Sequence, residues 1–196
     1  MKKISRLARL GFAAGMVALL AACAHPINLE TTQLPARDES QLVAKKVGYV
    51  ITDADRGKEV TTPGGGGDKV RYYPYRDMEK ALRAALRSVY SDVSALKAQN
   101  DPTVKDAGLS YIFTPQITTD SSSPSPFTWP PTKFHVQVSC TVTDPQGTTV
   151  AVVKADGDGA AEFSEFKSDF SLSARRAVSS VVENLAKEIR SNEKLH

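Results

Sequence analysis

The stretch FHVQVSCTVT, Phe134 to Thr143, constrains the fold more than any other part of this chain. Phe134, Val136, Val138, Cys140 and Val142 are apolar, and His135, Gln137, Ser139, Thr141 and Thr143 between them are polar. A repeat of two fits an extended strand with one face on a core and the other toward water, because successive side chains on a strand point to opposite sides. Asp144, Pro145, Gln146 and Gly147 follow, a composition suited to a tight reversal. Val150 to Val153 then reads as a strand returning alongside. The apolar face of such a sheet needs a cover.

Two stripes at helical spacing supply it. Met78, Leu82, Ala85, Leu86, Val89, Val93 and Leu96 recur every three or four residues through Arg76 to Leu96, with Asp77 and Glu79 in the first turn, where the helix dipole favours negative charge. Asn100, Asp101 and Pro102 stop this helix. Ala174, Val178, Val181, Leu185 and Ile189 mark a second one, running to about Arg190. Val47, Tyr49 and Ile51 give an earlier strand; Leu109, Tyr111 and Phe113 give another, in which Pro115 argues for an edge or a bulge. Between the first strand and the first helix, EVTT and KVRYY flank Pro63 and Gly64 to Gly67, which predicts a mobile hairpin with a glycine tip. The class is α+β: a two-layer sandwich, with a largely antiparallel sheet of about four to five strands and two amphipathic helices on one face.

Lys2, Lys3, Arg6 and Arg9 precede the uncharged run Leu10 to Ala22, the layout of a secretory leader. A membrane-crossing helix needs ~20 predominantly apolar residues, so this run is too short to be a permanent span. Leu20, Ala21, Ala22 and Cys23 resemble the lipobox of bacterial lipoproteins. The resemblance implies that Leu20, Ala21 and Ala22 form the signal peptidase box and that Cys23 takes a diacylglycerol on sulfur and becomes the new N-terminus. Burying acyl chains contributes ~0.8 kcal/mol per CH₂, enough for two or three chains to hold a domain at a bilayer. With Ala24 after the cysteine instead of aspartate, the implied address is the outer membrane, facing the periplasm. The chain divides into a leader (1–22), a lipidated cysteine and flexible tether (23–42) and one domain (43–192). At ~3.3 Å per residue the tether reaches at most about 60 Å.

The formal net charge of +3 drops to −1 once the four cations of the leader are removed. Nucleic acid is therefore not an expected partner, since binding it needs a basic patch or stripe. With Cys23 acylated, Cys140 has no intramolecular partner and should be a buried thiol. Enzyme chemistry finds little support. Gly64 to Gly67 lack the Walker spacing, because Asp68 precedes Lys69 and Val70 follows it. ADGDGA, Ala155 to Ala160, departs from a calcium loop at Ala160 and Lys167, and reads as a glycine-softened exit from the hairpin. His135 falls on the outward face of its strand with no elbow or zinc motif beside it. Glu162, Glu165 and Asp169 read as solvated charge. No cofactor and no metal are expected.

The stretch SSSPSPFTWPPT, Ser121 to Thr132, stands apart. Phe127 and Trp129, the latter the only tryptophan, are held among prolines that lower the entropy lost on binding. The two rings are candidates for contact with a partner or ligand, or else fold back as a lid on the open end of the core.

In the order of its parts the chain resembles small outer-membrane lipoproteins of the YajG-like type and, more distantly, the LptE-like assembly lipoproteins. The features that carry this are the lipobox ending at Cys23, the motif INLETTQLP, Arg76 and Asp77 opening the first helix, and the alternating strand pair ahead of a long C-terminal helix. The resemblance implies a non-enzymatic, lipid-anchored accessory or scaffold in cell-envelope assembly, meeting outer-membrane lipid through Cys23 and an envelope protein through its surface. The alternative is a module for lipid or glycolipid in envelope transport, bound through the helix–sheet seam near Trp129.

Overall fold

The computed structural model describes residues 24–125 and 129–196, so the expected leader, the lipobox-like run Leu20 to Cys23, and Phe127 lie outside the described residues. The strands are β1 (Ala24–Pro26), β2 (Val43–Val50), β3 (Val60–Pro63), β4 (Lys69–Tyr72), β5 (Tyr90–Leu96), β6 (Tyr111–Ser122), β7 (Lys133–Thr143) and β8 (Thr149–Ala160). The helices are α1 (Asp53–Arg56), α2 (Pro74–Val89), α3 (Thr103–Asp106), α4 (Phe163–Phe166) and α5 (Leu172–Ser191).

The alternating run is β7, and its apolar set, Phe134, Val136, Val138, Cys140 and Val142, is buried throughout. β7 pairs antiparallel with β6 on one side and β8 on the other, in a five-stranded sheet ordered β5-β2-β6-β7-β8. The predicted α+β sandwich is present, with the long ladders antiparallel. β2 and β5, however, pair in parallel, and so do β2 and β6. Parallel neighbours need a crossover, and α2 provides it between β2 and β5. The helices α2 and α5 lie over one face, where the main core gathers Tyr49, Ile51, Met78, Leu82, Phe113, Val138, Val178, Val181 and Leu185.

The first helix is shorter than its stripe predicts. It ends at Val89, and Tyr90 turns straight into β5 with φ −109° and ψ 152°. A helix would set Val93 and Leu96 on one side, whereas the strand sends Val93 into the main core. Leu96 joins Val50, Val104, Leu109 and Ile112 in a second cluster beside α3. Aromatic and β-branched residues favour a pleated surface, and Tyr90 and Val93 obey that preference over the helical spacing.

β8 is longer than expected. ADGDGA is its last half, not a loose exit: Ala155, Gly157 and Gly159 face inward while Asp156 and Asp158 are exposed. A Cβ on Gly157 would sit 2.3 Å from the Val181 nitrogen, and one on Gly159 would sit 2.0 Å from the Ser173 carbonyl oxygen. The missing side chains let the backbone of α5 lie against the strand. Asn184 Nδ2 donates to the Asp156 carbonyl at 2.8 Å, and Arg176 Nη1 donates to that of Ala160 at 2.7 Å. Those two carbonyls of the edge strand are thereby satisfied from the helix.

Pro115 sits in a central strand, opposite Cys140 of β7. It tolerates the place because the β2 ladder with β6 stops at Phe113. Two residues on, the Ile117 N–H, pointing the same way, donates to Tyr75 Oη at 3.2 Å. The edge character predicted from the proline is real but local.

The predicted hairpin forms as β3 and β4, and β1 adds to it in parallel, giving a three-stranded sheet ordered β1-β4-β3. Hydroxyls fasten it to the large sheet. Tyr72 Oη lies 2.7 Å from Thr119 Oγ1 and 3.1 Å from Thr62 Oγ1, which is 2.6 Å from Ser121 Oγ. The segment from 24 to 42, expected as a free tether, is extended but docked. Ile27, Leu29 and Thr31 are buried in alternation with exposed Asn28, Glu30 and Thr32. Further on, the Arg37 guanidinium donates to the carbonyls of Tyr90 at 3.1 Å and Ser91 at 3.2 Å. Period-two burial gives the segment an apolar edge to lay on the body, so composition alone misjudges it.

Candidate functional site

The ends of three strands meet at one end of the sandwich, where Ser122 pairs with Lys133 and Lys133 with Ala160. The described residues between β6 and β7, 123–125 and 129–132, are held at this end by backbone bonds. Thr132 N–H donates to the Ser122 carbonyl at 3.1 Å, and Ala161 N–H to that of Thr132 at 2.9 Å. Ser173 Oγ, in the first turn of α5, donates to the Pro131 carbonyl at 2.7 Å.

Trp129 is the centre of the cluster. Its ring stacks on His25 with centroids 4.1 Å apart and planes 27° apart, and meets Phe170 at 4.8 Å and 53°. The indole is half-buried and packs against the edge of the main core, so it is in part the lid that the sequence allowed for. His25 Nε2 lies 3.6 Å from Asp68 Oδ2. The glycine tip closes on the same loop: Gly65 N–H donates to the Trp129 carbonyl at 2.9 Å and Gly66 N–H to that of Ser125 at 3.3 Å. A Cβ on Gly64 would lie 2.3 Å from the Trp129 carbonyl oxygen. The tip predicted to be mobile is thus pinned to the proline loop.

Of the two rings singled out in the sequence, Trp129 belongs to this cluster and Phe127 lies outside the described residues. Leu20, Ala21, Ala22 and Cys23 also lie outside them. His25, Phe163 and Phe170 escape sequence reasoning. Phe163 is 66% exposed and Phe170 46%, while Phe166 between them is buried and makes an edge-on contact with Phe163 at 5.4 Å. A signal existed in FSEFKSDF, whose phenylalanines stand three and four apart.

Beside the cluster, Pro124, Thr132, Ala161, Phe163 and Phe166 line a groove of about 300 Å³. The seam between helices and sheet is closed: around Leu82, Leu86, Phe113, Cys140 and Leu185 the remaining space is about 10 Å³. That is scarcely room for one water.

The perturbed ionisable groups have structural partners. Glu79 is held below the usual carboxylate range, first by its hydrogen bonds from Arg56, at 2.7 Å to each oxygen, and also by the Tyr49 hydroxyl at 3.0 Å. Tyr49 is pushed up to about 12, by burial first and then by Glu79. Glu165 is lowered to about 2 by Arg176 and by the N–H of Glu162. Asp101 falls to about 2 because it accepts from Lys97 N–H and from Thr103. Burial alone raises the Cys140 thiol to about 12, so it is an inert core group, as its strand position implies. His135 is on the outward face, with Nδ1 2.9 Å from Asp158 and Nε2 3.6 Å from Asp156. Among the described residues no three His, Cys, Asp or Glu side chains are placed to hold a metal ion, and no helix is long and apolar enough to cross a membrane.

No family model matches the chain, and no curated protein matches it. Solved structures do. The protein XCC0632 from Xanthomonas campestris, of the family model DUF330, superposes with a TM-score of 0.50 at 10% identity, covering 86% of this chain and 96% of its own. A minor lipoprotein from Acinetobacter baumannii gives 0.45 at 12% identity, with 77% of this chain and 96% of that one covered. The PelC dodecamer from Paraburkholderia phytofirmans gives 0.41 at 16%, with 79% and 95% covered. The likeness to XCC0632 is one of fold.

Proposed function

We propose that this chain is a non-enzymatic lipoprotein of the outer membrane, anchored through an acylated Cys23 and facing the periplasm, that serves as an accessory or scaffold in cell-envelope assembly by contacting another envelope protein. One observation carries the anchored reading: half-buried Trp129 meets exposed Phe170, with exposed Phe163 beside the same loop, at the end of the sandwich where residue 24 enters the fold and where an acylated Cys23 would meet the bilayer. Exposed apolar groups that cluster mark contact surfaces. The perturbed carboxylates support the same reading, because each is matched by a structural arginine, hydroxyl or backbone N–H.

The open face of β6, β7 and β8 is a second surface available to a partner. It presents Gln116, Thr118, Gln137 and Asp156, all exposed. A photo-crosslinking residue at Gln137 in intact cells tests the proposal. The expected product is a discrete adduct with one protein, lost in Cys23→Ser cells, where the chain fails to reach the membrane. A chain that fractionates with the outer membrane yet gives no protein adduct from Gln137 or Gln116 contradicts contact through this face.

The groove beside Phe163 favours a second reading, a module for lipid or glycolipid. At about 300 Å³ it stands at the lower limit of small-molecule sites. Such a ligand would lie in this groove and not in the filled helix–sheet seam. A crosslinker at Phe163 that captures lipid in preference to protein supports that reading.

A further inference from the structure

Ala24 is already part of the folded body. It pairs with Lys69 at the start of β1, and the next residue stacks on Trp129. Ala24, the residue that follows Cys23 in the sequence, thus holds a fixed position in a sheet. An acyl group on the Cys23 sulfur would hold this end of the molecule at the bilayer, with no slack between anchor and domain.

The same end carries two of the three large apolar side chains that are exposed among the described residues, Phe163 and Phe170. The third, Val152, lies eight residues before Ala160 along β8, roughly 26 Å away at 3.3 Å per residue. Two of the carboxylates near the rings are paired with cations, Glu165 with Arg176 and Asp169 with Arg175, while Asp68 lies 3.6 Å from His25 and exposed Glu162 belongs to the capping box of α4. Matched charges lower the cost of leaving bulk water. Lys133 and Lys167 are exposed at this end, and long lysine stems can keep their ammonium groups among headgroup phosphates while the stem lies on apolar surface. Aromatic rings with one polar edge, tryptophan above all, settle at the boundary between headgroups and acyl chains.

We infer that Trp129, Phe163 and Phe170 form a membrane-seating surface, so that the domain rests on the bilayer that holds Cys23 instead of standing away from it on a leash. The occupant is the interfacial layer of a phospholipid bilayer, entered to ~5–10 Å, the depth typical of interfacial apolar faces. This rests on the proposed acylation of Cys23. The open face of β6, β7 and β8 is left for a protein partner.

Trp129 is the only tryptophan, so its emission reports on this end directly. The mature protein, purified from envelopes with its native N-terminus, is reconstituted into phosphatidylethanolamine–phosphatidylglycerol vesicles. It is then exposed to iodide in the water and to a doxyl-labelled phosphatidylcholine whose label lies near the headgroups. The expected result is quenching by the doxyl lipid and shielding from iodide. Phe163→Ser with Phe170→Ser should reverse both while the protein still floats with the vesicles. Val152→Trp in a Trp129→Phe background should stay open to iodide. Protein that floats with the vesicles but leaves Trp129 open to iodide and untouched by the doxyl lipid overturns the seating while the anchor stands. Protein that does not float removes the acylation reading. The seating is then tested by residues 24–196 held through an N-terminal histidine tag on nickel-chelating vesicles, where absence of quenching overturns it. Shielding that appears only on adding a second protein assigns the rings to a protein partner and overturns it equally.

Discussion

Two glycine-bearing stretches, the pair Gly66 and Gly67 and the run Ala155 to Ala160, do opposite things in the fold. The first is a reversal. Gly66 and Gly67 have φ of +67° and +87°, the left-handed region that side chains resist, and nothing lies within 4 Å of where a Cβ on Gly67 would be. The second is ordinary strand, and its glycines are set by what lies above them: the backbone of α5 occupies the volume that a Cβ would fill. A glycine can thus serve a backbone angle or a close approach, and these respond differently to one added methyl.

The comparison breaks most visibly at Gly159. Gly159→Ala forces α5 off the sheet, because the obstacle is the Ser173 carbonyl and not a movable side chain. Overpacking of this kind costs about 3 kcal/mol, which lowers the melting temperature by roughly 6–12 °C at this chain length. Thermal unfolding followed by circular dichroism reads it. A loss no larger than that of Gly67→Ala would remove the distinction.

Glu79→Gln gives the next largest effect. It weakens the paired hydrogen bonds from Arg56 and leaves the guanidinium with only the exposed carboxylate of Asp53, at a cost of about 1–2 kcal/mol in urea unfolding. The same residue sets a pH limit. Its folded pKa is depressed, so its contribution is present above the ordinary ~4.3 and is lost as pH falls toward the folded value. Cys140 and Tyr49 are raised to about 12, so their contributions are complete below the ordinary ~8.5 and ~10 and are lost as pH rises toward the folded values. Urea midpoints should therefore be flat from about pH 5 to 8. The acid limb should be shallower in Glu79→Gln.

Gly67→Ala comes third, at about 1 kcal/mol, because only the backbone angle resists and the space is open. Asp158→Asn comes last. Asp158 is on the outward face of the second stretch and its contact with His135 is exposed, so the urea midpoint should not move.

The frame was legible where one pattern had one meaning. Phe134 to Thr143 could only be a strand, and Ala174 to Ile189 only a striped helix. Legibility failed where two periods fitted the same residues. Val93 and Leu96 continue the spacing of α2 and also suit a strand that feeds two cores, and only the neighbouring β2 decides between them. In INLETT the period-two alternation is visible, yet the flanking prolines and polar residues outweigh it and give the composition of a tether. Val153, Ala155, Gly157 and Gly159 form an inward series of shrinking residues, a signal for a helix drawing close, which becomes clear once β8 is known to continue. At the candidate site Trp129 stood out by being single and by its prolines. His25 and Phe170 did not, because they approach it only through the pairing of β1 with β4 and the turn before α5.

The anchor is the claim on which the rest turns, and the N-terminal peptide of the protein recovered from native envelopes tests it most directly. Mass spectrometry is predicted to find Cys23 as the first residue, carrying a diacylglyceryl group on sulfur. A peptide in which Leu20, Ala21 and Ala22 still precede Cys23, or a terminal Cys23 with no fatty chains, would contradict the account.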